Sequence, residues 1–545
     1  MSAVRSDDRA EGNRLLTRAE AVLASATASL AFTILIAYAP YRAGAHVHPF
    51  LVLAAAAGAT GVVAWRIWRG VVASPGNVAA FVVVGATAAL FLAVALPDLL
   101  PVGGGPDFTH HLVLINHIER QWRLIDDPAL YPYLGDMMDY TPGAHLLIAL
   151  AGAWTRTAAF RAVQPVLALT VALKAGFIFC LAYRLARGDS RRTATGLIAV
   201  ALLFVPFAYF AGSFTTHSYW PQVVSELFAC ASWWAVTVWG DRKSVLSLGL
   251  FALFAAATFI TWPVFIGPVV LLFLTAVLFE WPDDTLTAVR HLAAGLAPVT
   301  AVALLHSAGR SGRLQMAATA GFVIHPSPAT LGWVFIAAAV IGLAAAARMP
   351  KARFSVIFAA TIAAQAVALY LFARWRGANT PYMALKMVYL AIYPLAVAGA
   401  VAASARPAIT WIAVVVVLAA AAYQVRVTPR PRPIATLAAW HSGIWARDHL
   451  DRACIDYLVA DGYTGYWLHL AVLDNPRGTP RFDDPRTFNP EKAVERWVDV
   501  EGLPYAIVDD ERGFSKALFS GTDTVARFGP SIVIRRQGKA TCPAP

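Results

Sequence analysis

The chain has 545 residues, of which 58% are hydrophobic and only 14% charged, and its mean hydropathy is +0.59. A soluble surface needs about a quarter of its residues charged, so most of this chain must face lipid, and 4 cysteines exclude a disulfide-framework fold. The net charge of +12 arises from 44 basic and 32 acidic residues, yet from residue 426 onward 16 basic face 15 acidic. The basic excess therefore belongs to the apolar part, where Lys and Arg in inner loops set orientation, and no nucleic-acid partner is implied.

In chain order, residues 1–20 carry Arg5, Arg9, Arg14 and Arg18 and read as a cytoplasmic tail ahead of an uncleaved first span. Apolar runs long enough to cross a bilayer lie near 21–40, 49–66, 78–98, 163–183, 193–211, 221–239, 245–260, 263–281, 289–306, 329–347, 354–372, 385–403 and 407–424. The expectation is an α-helical polytopic protein of about thirteen transmembrane helices in an inner cell membrane, over 21–425. Threading from an inner N-terminus puts Arg66/Arg69, Arg184/Arg187/Arg191/Arg192, Arg242/Lys243 and Arg348/Lys351/Arg353 inside, provided that 144–154 does not cross. That stretch is about eleven residues, the length of a re-entrant or interfacial segment. The odd count sends the C-terminus outside.

Past the proline-spaced linker Thr428–Pro433, residues 426–545 read as an extracytoplasmic α/β domain. Strands are expected at Ile455–Val459, Tyr466–Leu473, Pro504–Val508 and Ser531–Arg535, with a helix over Pro490–Val498. Cys454 and Cys542 are either a loop-closing disulfide or two thiols, whereas Cys180 and Cys230 read as small core residues. No internal repeat is evident.

The loop 100–143, placed outside, carries most of the chemistry-bearing residues. It opens Gly103-Gly-Gly-Pro-Asp107-Phe-Thr-His110-His111, continues as an amphipathic stretch with Leu112, Ile115, Ile118 and Trp122 on one face, and closes Asp136-Met-Met-Asp139-Tyr-Thr-Pro-Gly-Ala-His145. A carboxylate just beyond a span sits where a lipid-borne and a soluble substrate can meet; alternatively, Asp107 simply caps the amphipathic helix. Two ionisable residues fall within spans, Lys174 and Glu226. Such residues are functional or mutually paired; the pair is the simpler account, and Lys174 reaching a phosphate the other. His46-x-His48 is weak metal evidence.

Pro106-Asp-Phe-Thr-His-His111 and Tyr140-Thr-Pro-Gly-Ala-His145, with an interfacial helix between them and an outer domain at the end of many spans, resemble the GT-C glycosyltransferases. These membrane enzymes use polyprenyl-phosphate sugars and include protein mannosyltransferases, lipid A aminoarabinose transferases and actinobacterial arabinofuranosyltransferases. The family's catalytic loop usually follows the first span; here it follows the third. The resemblance implies an inverting transfer from a polyprenyl-phosphate-linked sugar donor to a glycan, lipid or protein acceptor on the outer face. It implies a carboxylate base, Asp107 ahead of Asp139 and Asp136, and cations for the leaving phosphate, drawn from Arg310, Arg313, Lys386 and Lys174. Thr380-Pro-Tyr382-Met-Ala-Leu-Lys386 is similar to the family's Tyr-x-x-x-Lys pattern opening a late helix. His110, His111, His145, His217, Tyr219, Trp220 and Tyr382 are candidates for substrate contact. No metal ligand set is identified and a divalent cation is left open as cofactor. The competing classes are a transporter or flippase of a lipid-linked substrate and a non-catalytic membrane scaffold.

Overall fold

The computed structural model describes residues 16–124, 130, 134–186, 188–207, 209, 219–280, 284–308, 323–429, 433–459, 461–476, 497, 503–509, 521–538 and 542, except for the side chains of Pro106 and Asp136. Each of the thirteen apolar stretches contains a helix. These are α1 Arg18–Arg42, α2 Pro49–Trp68 and α3 Gly76–Ala93, then, after α4 Pro106–Gln121 and α5 Gly143–Thr155, α6 Ala159–Leu185, α7 Arg192–Leu203, α8 Trp220–Arg242, α9 Val245–Thr261, α10 Ile266–Phe279, α11 Thr285–Ser307, α12 Trp333–Ala346, α13 Arg353–Trp375, α14 Tyr382–Ala403 and α15 Pro407–Val427. Among the described residues, nine helices are long and apolar enough to cross a membrane; α5, α9, α10 and α12 are shorter apolar helices. The molecule is an integral membrane protein on this count.

Local chemistry sets several helix ends. Thr17 accepts from the Glu20 amide while the Glu20 carboxylate accepts from the Thr17 amide, a capping box that starts α1. Proline in the first turn opens α2, α4 and α15, where its missing N–H costs nothing. Within the stretch expected over 193–211, α7 ends at Leu203, because Pro206 pushes its predecessor out of the helical region.

Helices α6, α8 and α14 are buried on almost every face, whereas α2, α11, α13 and α15 are largely exposed around them. A peripheral helix that is apolar all round is one solvated by lipid. Helices α12 and α14 meet backbone to backbone: a Cβ on Gly342 would lie 2.3 Å from the Gly399 nitrogen. Small residues at such crossings are what membrane helix packing favours, and this contact seats α14, which carries Lys386.

At the end of α1, α3, α6 and α8 remote from α4, the Arg184 guanidinium donates to both oxygens of Glu20, at 2.9 and 3.1 Å, and to Asp241 at 3.0 Å. The Trp234 indole donates to Glu20 at 3.0 Å. Buried charges persist when paired and hydrogen-bonded in this way.

The C-terminal region carries a helix α16 Leu437–His449 and a four-stranded sheet of β1 Ile455–Leu458, β2 Tyr505–Asp509, β3 Thr522–Phe528 and β4 Ser531–Arg536. The sheet order is β1-β2-β4-β3, parallel between β1 and β2 and antiparallel elsewhere. A disulfide joins Cys454 and Cys542 across 5.2 Å between Cα atoms. One expected strand is corrected and one strand was not expected. The segment Tyr466–Leu473 is not a strand: α17, Gly462–Trp467, capped by Asp461, runs into a π-turn at Leu468–Val472. It is buried on all sides, so its apolar run carries no period to separate strand from helix. Strand β3 is an edge strand that its polar residues concealed. The helix expected over 490–498 lies outside the described residues apart from Trp497.

The C-terminal region seats on α4. Asn116 donates to the Ala471 carbonyl and Arg120 forms a two-pronged ion pair with Asp474.

Candidate active site

Helix α4 begins with Gly105 at φ +100, a left-handed backbone that glycine adopts without strain. Pro106 follows at the first helical position, so Asp107 lies in the first turn and Gly105, not Asp107, is the N-cap. Asp107 is exposed, and its Oδ2 accepts a hydrogen bond from the Tyr382 hydroxyl at 3.1 Å. Tyr382 opens α14 after Pro381, 275 residues later in sequence.

One turn further along α14, Lys386 is only 3% exposed. Its ammonium stands 3.8 Å from the ring centre of Tyr219, 4.4 Å from Tyr382 and 4.8 Å from Trp262. Three aromatic faces hold a cation by their negative quadrupole, but they supply no counter-charge, and no salt bridge joins Lys386 to any described carboxylate. Trp262 follows α9 in an extended backbone forced by Pro263, which turns its ring into the cage.

Against this cage packs a ring cluster from α4, α5 and α8. His111 Nδ1 and His145 Nε2 share a hydrogen bond of 3.1 Å, and Tyr140 lies within 5.4 Å of His111, 5.6 Å of His145 and 5.8 Å of Trp262 between ring centres. Trp220 sits on Phe108 at 4.8 Å and near His111 at 5.9 Å. Burial first, then the charge of Lys386, then that of His110, lowers the His111 pKa to about 3. Burial likewise holds His145 well below its usual value, with His111 adding to it. Both imidazoles are therefore neutral at physiological pH and serve as walls and hydrogen-bonding groups. Burial, followed by the Asp107 charge, raises the Tyr140 hydroxyl, which stays protonated.

The structure thus gathers Asp107, His111, His145, Tyr219, Trp220, Tyr382 and Lys386 into one region. His110 points away, to the Tyr466 hydroxyl at 3.1 Å. Asp139 is exposed at the end of a 3-10 turn over Gly135–Asp139, which also contains Asp136. Lys174 lies deeper in the bundle, 2.5 Å from Glu226, both fully buried; Glu226 also accepts from Tyr393 at 2.5 Å and from Gln222 at 3.1 Å. His217, Arg310 and Arg313 fall outside the described residues. Sequence reasoning passed over Trp262 and gave Tyr140 no role; the Trp262-Pro263 step was the one local signal for the former.

Among the described residues, the one group of three with metal-ligand spacing is Asp451, Cys454 and Cys542. Its two sulfurs are already bonded to each other, so it does not fit a metal, and no described residues near Asp107 gather a ligand set.

No family model matches the chain, and no curated protein matches it. Nine chains of solved structures do. One is ArnT from Cupriavidus metallidurans bound to undecaprenyl phosphate, at 13% identity over 85% of this chain and 99% of that one, with a TM-score of 0.47. Another is the Archaeoglobus fulgidus oligosaccharyltransferase in complex with zinc and sulfate, at 14% identity over 79% of this chain and 68% of that one, with a TM-score of 0.41.

Proposed function

We propose that the protein is a GT-C-type membrane glycosyltransferase, moving a sugar from a polyprenyl-phosphate donor to an acceptor hydroxyl on the outer face of the membrane. The observation that carries this reading is the buried, cation-bearing cage of Lys386 beside the exposed carboxylate of Asp107, with Tyr382 common to both. A lysine kept in the apolar part of a bundle without a carboxylate partner is costly, and an incoming phosphate repays that cost. Lys386 binds the donor phosphate and stabilises the charge that grows on it as it leaves. Asp107 takes the proton of the acceptor hydroxyl. The hydroxyl oxygen forms a bond to the anomeric carbon as the bond from that carbon to the phosphate oxygen breaks, and the phosphate departs with the electron pair. In-line displacement inverts the anomeric centre. Tyr382 orients the carboxylate, and the neutral pair His111–His145 with Trp220 forms the sugar-facing wall.

The test is transfer in proteoliposomes supplied with synthetic polyprenyl-phosphate sugars. Asp107→Asn keeps the shape of the side chain, so thermal stability stays unchanged while the rate falls by about 10²–10⁴. Near-normal transfer by Asp107→Asn would move the base to Asp139 or Asp136. A wild-type protein that moves the labelled lipid across the bilayer without transferring its sugar would make it a flippase.

A further inference from the structure

A second cation-bearing cleft lies on the other side of Tyr140. Tyr140 touches Trp262, a wall of the Lys386 cage, and also borders a small cleft with Tyr38, Arg42 and His306. Arg42 closes the last turn of α1. Its Nη2 donates to the Ala308 carbonyl at 2.6 Å, its Nε is buried without a partner, and no described carboxylate pairs with it. Tyr38, whose hydroxyl shares a 2.8 Å hydrogen bond with His306 Nδ1, is also the last wall of a much larger cavity. That cavity, of about 680 Å³, runs between α1, α2, α9 and α11 and is lined by aliphatic side chains and Phe32, with the exposed Arg66 at the end remote from Tyr38.

An apolar channel among membrane helices, sharing its Tyr38 wall with a cleft whose arginine has no described carboxylate partner, matches one kind of molecule: a long hydrocarbon chain carrying an anionic head. Because Tyr140 separates this cleft from the Lys386 cage, two such amphiphiles can lie side by side with Asp107 near their heads. We propose that the α1/α2/α9/α11 groove and Arg42 form a binding site for a lipid with an anionic headgroup, and that this lipid is the acceptor. The acceptor assignment rests on the transferase reading above; the lipid site does not. The chain lies in the groove, Arg42 holds the head, and a headgroup hydroxyl approaches Asp107 past Tyr140.

The experiment uses the full chain in detergent and three probes: pyrene-labelled phosphatidylglycerol, pyrene-labelled phosphatidylcholine, and farnesyl phosphate as a short polyprenyl phosphate. Gly249 lines the groove, and a Cβ there would meet nothing within 4 Å, so Gly249→Leu grows into the channel from an open position. Ala301→Leu fills it from α11, should the first variant misfold. Each is expected to weaken binding of both pyrene lipids at least tenfold and to leave farnesyl phosphate within twofold. Arg42→Gln is expected to bring phosphatidylglycerol down to the phosphatidylcholine level, a loss of about tenfold in preference. Unchanged phosphatidylglycerol binding in both filled variants would overturn the site. Loss of farnesyl phosphate from them would give the groove to the donor and overturn the acceptor assignment. Lys386→Met separates the two readings: it is expected to lose farnesyl phosphate and keep phosphatidylglycerol. If it keeps both, the donor reading fails while the lipid site stands.

Discussion

Two lysines are buried in this bundle, and their surroundings are opposites. Lys174, in the middle of α6, meets Glu226 at 2.5 Å, and that carboxylate is completed by Tyr393 and Gln222. Lys386, at the site end of α14, meets only rings. The same contrast separates the two ends of the bundle: remote from α4, Arg184 is saturated by Glu20 and Asp241, while near α4 no described carboxylate pairs with Arg42. A charge whose partners are all present stabilises a particular packing of helices. A charge without them is, on the reading proposed above, a site for an anion. Residue type and burial are alike in the two lysines; the partner set is what differs.

The largest effect expected from that contrast is on stability. Lys174→Met leaves Glu226 buried and uncompensated, which costs about 3–5 kcal/mol, read as a fall in the thermal unfolding midpoint. Lys174→Met with Glu226→Gln removes both charges while Gln still accepts from Tyr393, and most of the loss returns. Lys386→Met leaves no orphaned charge, so its midpoint stays or rises. A Lys386→Met protein as destabilised as Lys174→Met would erase the contrast.

The next effect concerns how α14 is held. With the Gly399 nitrogen 2.3 Å from a Cβ at Gly342, Gly342→Ala forces α12 and α14 apart at a cost of about 1–3 kcal/mol. The shift moves Lys386 against Tyr219 and Trp262, which belong to other helices, so farnesyl phosphate binding weakens as well. A Gly342→Ala protein with unchanged midpoint and binding would show that this crossing does not position the cage.

What the sequence made legible, and what it hid, follows the same division. Helix positions were readable because lipid-facing runs are long and apolar, and Asp107 and the Tyr382-x-x-x-Lys386 pair stood out as polar residues at helix mouths. The Lys174–Glu226 pair could be guessed because two intramembrane charges of opposite sign have few other solutions. The cage could not be read. Its walls come from residues 219, 262 and 382, and only the packing of α8, α9 and α14 brings them to one point. The Tyr466–Leu473 run was misread because a segment buried on every side shows no periodicity.

Acid provides a smaller and graded test. The neutral His111 is held at a pKa of about 3, against 6.5 in the unfolded chain. The unfolded state therefore binds the proton first as pH falls, and stability is lost from about pH 6.5 downward until the folded pKa is reached. One unit below 6.5 the loss from His111 is about 1.4 kcal/mol, and His145 adds to it in the same direction. His111→Asn should flatten the dependence of the unfolding midpoint between pH 6.5 and 5.5. An equally steep fall in that variant would place the titrating group elsewhere.

The smallest effect expected is at the junction of α4 with the C-terminal region. Arg120 and Asp474 form a two-pronged pair, but the Arg120 side chain is 40% exposed, and water screens such pairs to about 0.2–1 kcal/mol. The seat has other supports that do not depend on charge: the Asn116 amide on the Ala471 carbonyl and the His110 ring on the Tyr466 hydroxyl. Arg120→Ala should therefore lower the unfolding midpoint by no more than a degree or two and leave proteolysis after the Pro-rich linker at 428–433 unchanged, whereas Arg120→Ala with Tyr466→Phe should speed that cleavage. Rapid cleavage in Arg120→Ala alone would make this ion pair a latch between the two regions. It would also place beside the candidate site a third kind of charge, exposed and paired yet decisive, which the contrast between Lys174 and Lys386 does not contain.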